Sequence, residues 1–133
     1  MTAIICLDEE NGVSFNNRRQ SQDRYLMYDI MKTIGFAGIA IENYSALLFS
    51  NLAARLHIVD DIYNHNEPYC FVERHDMNGA EKIFDKVIIY RWTDKTYPSD
   101  IKFKMDLSNF TLVSKSEIAG HSHNVITKEI YCK

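Results

Sequence analysis

Residues 2–34, TAIICLDEENGVSFNNRRQSQDRYLMYDIMKTI, decide the fold. The run TAIICLD (2–8) is apolar throughout and of strand length, which predicts a strand buried on both faces. After a long polar loop, apolar side chains recur at helical spacing from Leu26 to Ile34 and predict an amphipathic helix. Ser21 is a candidate N-cap for this helix, and Gly35 suits its C-cap. A buried strand followed by an amphipathic helix is typical of an α/β sheet.

The rest of the chain continues this alternation and then closes with a hairpin. Four more strands are predicted, at GIAIE (38–42), ARLHIVD (54–60), PYCFVE (68–73) and KVIIYRW (86–92). Short helices are predicted at 44–52 and 80–84, an irregular polar segment at 93–108, and a hairpin at 109–118 and 124–132 joined by GHSHN. We therefore expect one α/β domain over residues 1–133, with a mainly parallel sheet and an antiparallel edge.

The composition argues against a nucleic-acid-binding protein, a disulfide-rich secreted protein and a membrane protein. A net charge of −3 and a pI near 5.9 give no basic footprint for nucleic acid. The three cysteines are odd in number and lie in apolar runs, which favours reduced thiols over a disulfide framework. The chain begins without the basic and apolar regions of a signal peptide, and its apolar runs are shorter than the roughly 20 residues that cross a membrane. We expect a cytoplasmic protein that does not bind membranes.

The order of these segments resembles dihydrofolate reductase over nearly the whole chain. AIICLDEENG resembles the first strand and the start of the mobile loop in that family, and IAIENYS resembles the strand and helix start that carry its Gly-Arg-x-Thr motif. ARLHIVD, KIFDKVIIYRW and NFTLVSKSEIAGHSHNVITKEIY resemble a later strand, the strand before the last loop, and the closing hairpin. The resemblance implies a dihydrofolate reductase-like fold in a short, divergent bacterial member.

The resemblance also implies candidate site residues. Asp23 lies near the position of the family's pterin-binding carboxylate, which supports protonation of the substrate; a solvated aspartate in the first helical turn is the simpler interpretation. Arg55 matches the arginine that binds the substrate carboxylate, but an arginine at a strand start also reaches solvent without any ligand.

The same comparison makes the cofactor doubtful. The family holds the diphosphate of NADPH on the bare backbone of consecutive glycines at a helix N-terminus. The matching residues here are Val72, Glu73 and Arg74, and the chain has no Gly-Gly pair. Ser45 preserves the hydroxyl of the Gly-Arg-x-Thr motif, but Asn43 replaces its arginine. We therefore predict no cofactor; NADPH bound in an altered way is the alternative.

The polar loop itself is a candidate ligand site. Hydrogen-bond donors suited to an anion or a polar ligand are concentrated in it: Asn16, Asn17, Arg18, Arg19 and Gln20. The alternative interpretation is a solvated loop closed by local hydrogen bonds. The leading hypothesis places a small polar or anionic ligand, or a protein partner, in a cleft lined by residues 14–24, Arg55 and residues 73–76.

Other classes of site find less support in the sequence. His121 and His123 are two residues apart, yet no third metal ligand follows, so we predict no metal. FNNRRQS and GHSH also resemble short bacterial proteins labelled ribonuclease Z, but the His-x-His-x-Asp-His motif that a two-zinc hydrolase requires is incomplete. No Gly-x-Ser-x-Gly elbow or Cys–His pairing indicates nucleophilic catalysis. A third hypothesis is an interaction protein, with a homodimer formed through an exposed sheet edge.

Overall fold

A seven-stranded sheet forms the centre of the computed structural model, which describes all 133 residues. The strands are β1 (Thr2–Asp8), β2 (Gly12–Phe15), β3 (Arg18–Arg19), β4 (Gly38–Ile41), β5 (Arg55–Ile58), β6 (Tyr69–Val72), β7 (Lys86–Trp92), β8 (Ile101–Lys102), β9 (Thr111–Ala119) and β10 (Val125–Cys132). The helical elements are α1 (Arg24–Ile34) and two 3₁₀ helices, Asn43–Phe49 and Ala80–Lys82.

The sheet is mixed and mainly parallel, which confirms the predicted fold class. Its order is β5-β4-β6-β1-β7-β10-β9. Strands β5, β4, β6, β1 and β7 run parallel, and β10 and β9 add an antiparallel hairpin to β7. Strand β1 lies in the middle, with Ile4 opposite Phe71 on one side and Ile88 on the other. It is buried on both faces, as its apolar run predicts.

Helix α1 covers one face of this sheet. Its apolar stripe, formed by Leu26, Met27, Ile30 and Ile34, is buried as the helical spacing predicts. Gly35 ends the helix with a positive φ of 59°, as expected for a C-cap glycine. The predicted N-cap Ser21 is wrong, because the side chain of Asp23 receives the first helical N–H groups.

No α-helix covers the opposite face. The core there is completed by side chains from irregular segments, among them Ile62, Met77, Phe84, Met105 and Phe110. The helix predicted at 80–84 is only the 3₁₀ turn Ala80–Lys82, and the one predicted at 44–52 is the 3₁₀ helix Asn43–Phe49. The crossover from β6 to β7 therefore presents no α-helix N-terminus at the carboxyl end of β6.

The long polar loop at 10–24 is more ordered than the sequence suggested. It contains the hairpin β2–β3, whose turn residues Asn16 and Asn17 both have positive φ, at 50° and 61°. Asparagine tolerates this conformation better than most residues, so these two side chains fit the turn. Strand β8, from the segment predicted to be irregular, pairs with β2 and completes a separate three-stranded sheet.

Both edges of the main sheet are open. All four residues of β5 are exposed, and β9 is exposed along its length except for the half-buried Ile118. No helix in the structure combines the length and the apolar character needed to span a membrane.

Candidate functional site

Polar side chains gather where the parallel strands end. Asp8 is the last residue of β1, Glu42 follows β4, and Glu73 follows β6. Open α/β sheets bind their ligands outside the carboxyl ends of their strands, so this edge is the candidate site. The hairpin β2–β3 lies across it and brings Arg19 and Gln20 to these acids.

An ion pair occupies the end of β6. Arg19 Nε lies 2.7 Å from Glu73 Oε2, and its Nη2 lies 3.0 Å from Oε1. Ser45 Oγ donates a third hydrogen bond to Oε1 at 2.7 Å. The Glu73 side chain is only 8% exposed and that of Arg19 24%. Burial opposes the charge on Arg19, but the hydrogen bond and charge of Glu73 raise the pKa of Arg19 above its ordinary value, so the guanidinium stays charged.

Neighbouring side chains extend this network. The guanidinium groups of Arg19 and Arg74 lie over the ring of Tyr44, at 4.5 and 4.1 Å from its centroid. His75 Nε2 lies 3.0 Å from Glu42 Oε1. The side chains that replace the expected glycines and the Gly-Arg-x-Thr motif therefore bind one another across the ends of β4 and β6.

Asp8 anchors the base of the hairpin. Its carboxylate accepts backbone N–H groups from Glu10 at 2.9 Å and Gly12 at 2.8 Å, and the Gln20 amide at 3.0 Å. Burial raises the pKa of Asp8, but these donors together lower it below its ordinary value. A Cβ on Gly12 would lie 2.5 Å from the Gln20 amide nitrogen, so glycine is required for this close approach.

Asp23 joins helix α1 to the turn between β9 and β10. It caps the helix through the N–H groups of Tyr25 and Leu26, at 2.9 and 3.3 Å. Its Oδ2 also accepts the three consecutive turn N–H groups of residues 121–123, at 2.8 to 3.1 Å. Burial alone would raise the pKa of Asp23, but these donors and His123 hold it far below its usual range.

Gly120 makes this arrangement possible. A Cβ at this position would lie 2.2 Å from the His123 carbonyl oxygen and 3.0 Å from Asp23 Oδ2. The turn can therefore close over the carboxylate only when residue 120 has no side chain.

His123 connects Asp23 to the hairpin side of the site. The imidazole is 4% exposed and stacks on Trp92, with ring centroids 4.3 Å apart and planes at 23°. Its Nδ1 lies 3.3 Å from Asp23 Oδ2, and its Nε2 lies 3.1 Å from Ser21 Oγ and 3.0 Å from the Tyr97 hydroxyl. His121 and His123 do not belong to any group of three or more His, Cys, Asp or Glu side chains that could hold a metal ion.

The space left at the site is small in the centre and larger at the surface. The central cavity, lined by residues that include Cys6, Ser21, Asp23 and Trp92, is about 20 Å³, room for about one water molecule. A surface groove of about 540 Å³, here called the hairpin groove, is lined by Phe15, Asn16, Arg18, Arg19, Gln20, Tyr97 and Pro98. A second groove of about 530 Å³ lies between the start of α1, including Asp23, residues 47–52, and the turn residues His121 and Ser122.

The structure brings most of the predicted residues together, with one correction. Asn16, Arg18, Arg19, Ser45, Glu73 and Arg74 lie at or beside the site, and Asn17 lies in the hairpin turn. The prediction that Arg55 lines the same cleft is wrong. Arg55 begins β5, pairs with Gly38 at the start of β4, and contacts the Phe36 carbonyl at the opposite end of the sheet.

Sequence reasoning missed several residues of the site. Ser21 was assigned to a helix cap and Tyr97 to an irregular segment, and Asp8 was seen only as a strand end. The contacts that join them span 76 to 102 positions along the chain, so no local spacing could have revealed them.

The fold is known from solved structures. Dihydrofolate reductase from Enterococcus faecalis, complexed with NADP(H) and RAB-propyl, matches 98% of this chain and 94% of its own chain, with a TM-score of 0.68 and 11% sequence identity. No family model matches the sequence, and no curated protein matches it either. The chain therefore has a dihydrofolate reductase-like fold with a sequence far from that enzyme.

Proposed function

We propose that this chain uses the dihydrofolate reductase-like fold to bind a small polar or anionic ligand in the hairpin groove, and does not carry out NADPH-dependent reduction. The observation that carries the proposal is the Glu73 carboxylate, whose two oxygens are bound by Arg19 and Ser45 at the end of β6. That position would have to be bare backbone for a dinucleotide diphosphate to approach it.

The side chains at the end of β6 do not suit a diphosphate. Glu73 and Arg19 neutralise each other, so Arg19 offers a phosphate no unpaired positive charge at the end of β6. No α-helix begins after β6, so the partial positive charge of a helix N-terminus is missing as well.

The state of Asp23 also argues against pterin reduction. A carboxylate that binds a pterin and supports its protonation must face the substrate with free oxygens. Both oxygens of Asp23 instead accept backbone N–H groups, and its pKa is strongly lowered. The central cavity beside Asp23 holds about one water molecule, and at the larger groove that Asp23 also lines the carboxylate oxygens are already taken by these N–H donors.

The hairpin groove is better suited to an anion. Arg18 is exposed and forms no ion pair within the chain, so its guanidinium can bind a ligand carboxylate or phosphate. Asn16 lines the same groove and adds an amide donor, whereas the Gln20 amide already donates to Asp8 and to the Pro98 carbonyl. The Asn16 side chain makes no hydrogen bond within the chain, and the Asn16 backbone N–H donates to the Asp100 carboxylate at 3.2 Å.

Inorganic phosphate is a suitable probe for this groove. We expect millimolar phosphate to shift the backbone amide NMR signals of residues 15–20, with saturation. Arg18→Gln should weaken the effect about tenfold, the loss of one charge-assisted contact. Arg24→Gln removes an equally exposed arginine outside the groove and should leave it unchanged. Shifts that are absent, or equally weakened by both variants, would refute the ligand site.

A divergent reductase is the second candidate function. It is favoured by one observation, that the matched structure is a dihydrofolate reductase complexed with NADP(H). A homodimer or a protein partner at the exposed edges of β5 and β9 stays a prediction.

A further inference from the structure

A hydrogen-bonded chain of three side chains lies at the edge of the central cavity. Ser21 Oγ is 3.1 Å from His123 Nε2, and His123 Nδ1 is 3.3 Å from Asp23 Oδ2. When Nδ1 carries the proton and donates it to Asp23, Nε2 is left to accept a proton from a hydroxyl; Ser122 Oγ also lies 3.3 Å from Nδ1. A hydroxyl, an imidazole and a carboxylate in this order activate a serine nucleophile.

The imidazole and the carboxylate are held in place by their surroundings. His123 is packed flat on Trp92, and Asp23 is fixed by five backbone N–H groups from the helix start and the turn. Both side chains are nearly fully buried, whereas Ser21 is half-buried at the rim. A base that is oriented in advance needs no reorganisation when the reaction begins.

Donors for a developing oxyanion are also present. The backbone N–H groups of Ser21 and Gln22 donate no hydrogen bond within the chain. The N–H of the residue after a nucleophile commonly contributes to an oxyanion hole. The adjoining cavity, of about 20 Å³, has room for the water that a hydrolysis needs but not for an ester, which must therefore reach the half-buried Ser21 from its solvent side.

We propose that Ser21 is a nucleophile that hydrolyses small carboxylic esters, with His123 as general base and Asp23 as the residue that positions it. This activity goes beyond the ligand binding proposed above and does not depend on it. The chemistry requires no cofactor.

The reaction proceeds in two balanced steps. Ser21 Oγ attacks the ester carbonyl carbon while its proton passes to His123 Nε2; the bond to the alcohol oxygen then breaks, and the alcohol leaves with that proton. Water next gives a proton to Nε2 as its oxygen attacks the acyl carbon. Ser21 Oγ leaves with this proton, and the carboxylic acid is released.

Tyr97 modulates this arrangement. Its hydroxyl lies 3.0 Å from His123 Nε2 and 3.4 Å from Ser21 Oγ, so it competes with Ser21 for the imidazole. Tyr97→Phe removes the competitor and should keep or raise the reactivity of Ser21.

A fluorophosphonate probe, which reacts with activated serines, tests the proposal on the full chain. We expect covalent labelling of the folded protein, peptide mapping that places the phosphonyl group on Ser21, and slow hydrolysis of p-nitrophenyl acetate. Ser21→Ala should lower labelling and hydrolysis by about 10²-fold or more, and His123→Gln by a similar factor. Ser116→Ala alters an exposed strand residue and should change neither.

Peptide mapping of the labelled parent protein identifies the reactive residue directly, so the test does not depend on whether a variant folds. Label on another residue, or labelling no stronger than that of the denatured protein, would overturn the proposal. So would a folded Ser21→Ala variant that is labelled as strongly as the parent.

Discussion

Replacing Asp23 by alanine should destabilise the protein by about 3 kcal/mol. The helix cap is worth about 1 kcal/mol, since the side chain receives the N–H groups of Tyr25 and Leu26. Of the three turn donors, those of His121 and Ser122 can turn to water because these residues are exposed. The N–H of His123 is buried, and leaving it without an acceptor costs about 1–3 kcal/mol.

Urea denaturation followed by circular dichroism measures this loss as a lower midpoint. Asp94→Ala is a matched control, because that carboxylate accepts one exposed N–H of the same turn, from Asn124 at 3.1 Å, and should cost less than about 1 kcal/mol. Asp23→Asn keeps the helix-capping oxygen but turns an amide NH₂ toward the turn donors, so we expect an intermediate loss of about 2 kcal/mol. If Asp23→Ala costs no more than Asp94→Ala, Asp23 does not hold the turn to the helix.

Three further predictions concern the same edge of the sheet. Gly120→Ala should lower the free energy of unfolding by at least about 2 kcal/mol in urea titrations, because the new Cβ would clash with the His123 carbonyl. Gly79→Ala is the control: its Cβ would meet nothing within 4 Å, so it should cost only about 1 kcal/mol for the positive φ. Equal losses would contradict the steric argument. Glu73→Ala should cost about 2 kcal/mol by removing the ion-pair partner of the half-buried Arg19, and Arg19→Met together with Glu73→Leu should recover most of this loss. A double variant as unstable as the single one would show that the ion pair itself is needed. The folded-state pKa values of Asp8 and Asp23 are both lowered, so the two carboxylates stabilise the fold fully above about pH 4, and this stabilisation is lost as the pH falls further. Thermal melts should show a flat Tm from pH 7 to 5 and a steep drop below pH 4. A Tm that rises on acidification would contradict the assignment.

The sequence predicted the parts of the fold that depend on local pattern. The apolar runs of β1 and β7 and the stripe of α1 carry their own periodicity, so their positions followed from it. The hairpin β2–β3 was missed because its strands are short and polar, and they are held by Asp8 and Asp100 from outside the segment.

The site was predictable only in part, because its contacts are long-range. The resemblance places Glu73 where the reductases have a glycine, but the pairing of Glu73 with Arg19 spans 54 positions and no local pattern indicates it. Asp23 was predicted as a site residue from its place before the helix, yet most of its hydrogen-bond donors come from the turn at 120–123, nearly 100 positions away. Arg55 was misplaced because a sequence match does not say which end of a strand faces the site.

The most direct test of the account is a titration of the folded protein with NADPH, followed by nicotinamide fluorescence, with a dihydrofolate reductase as positive control. Because we propose that the Glu73–Arg19 ion pair stands where a diphosphate would have to lie, we predict no saturable enhancement at micromolar coenzyme. Saturable binding in that range, with the diphosphate against Glu73 and Arg74, would contradict it.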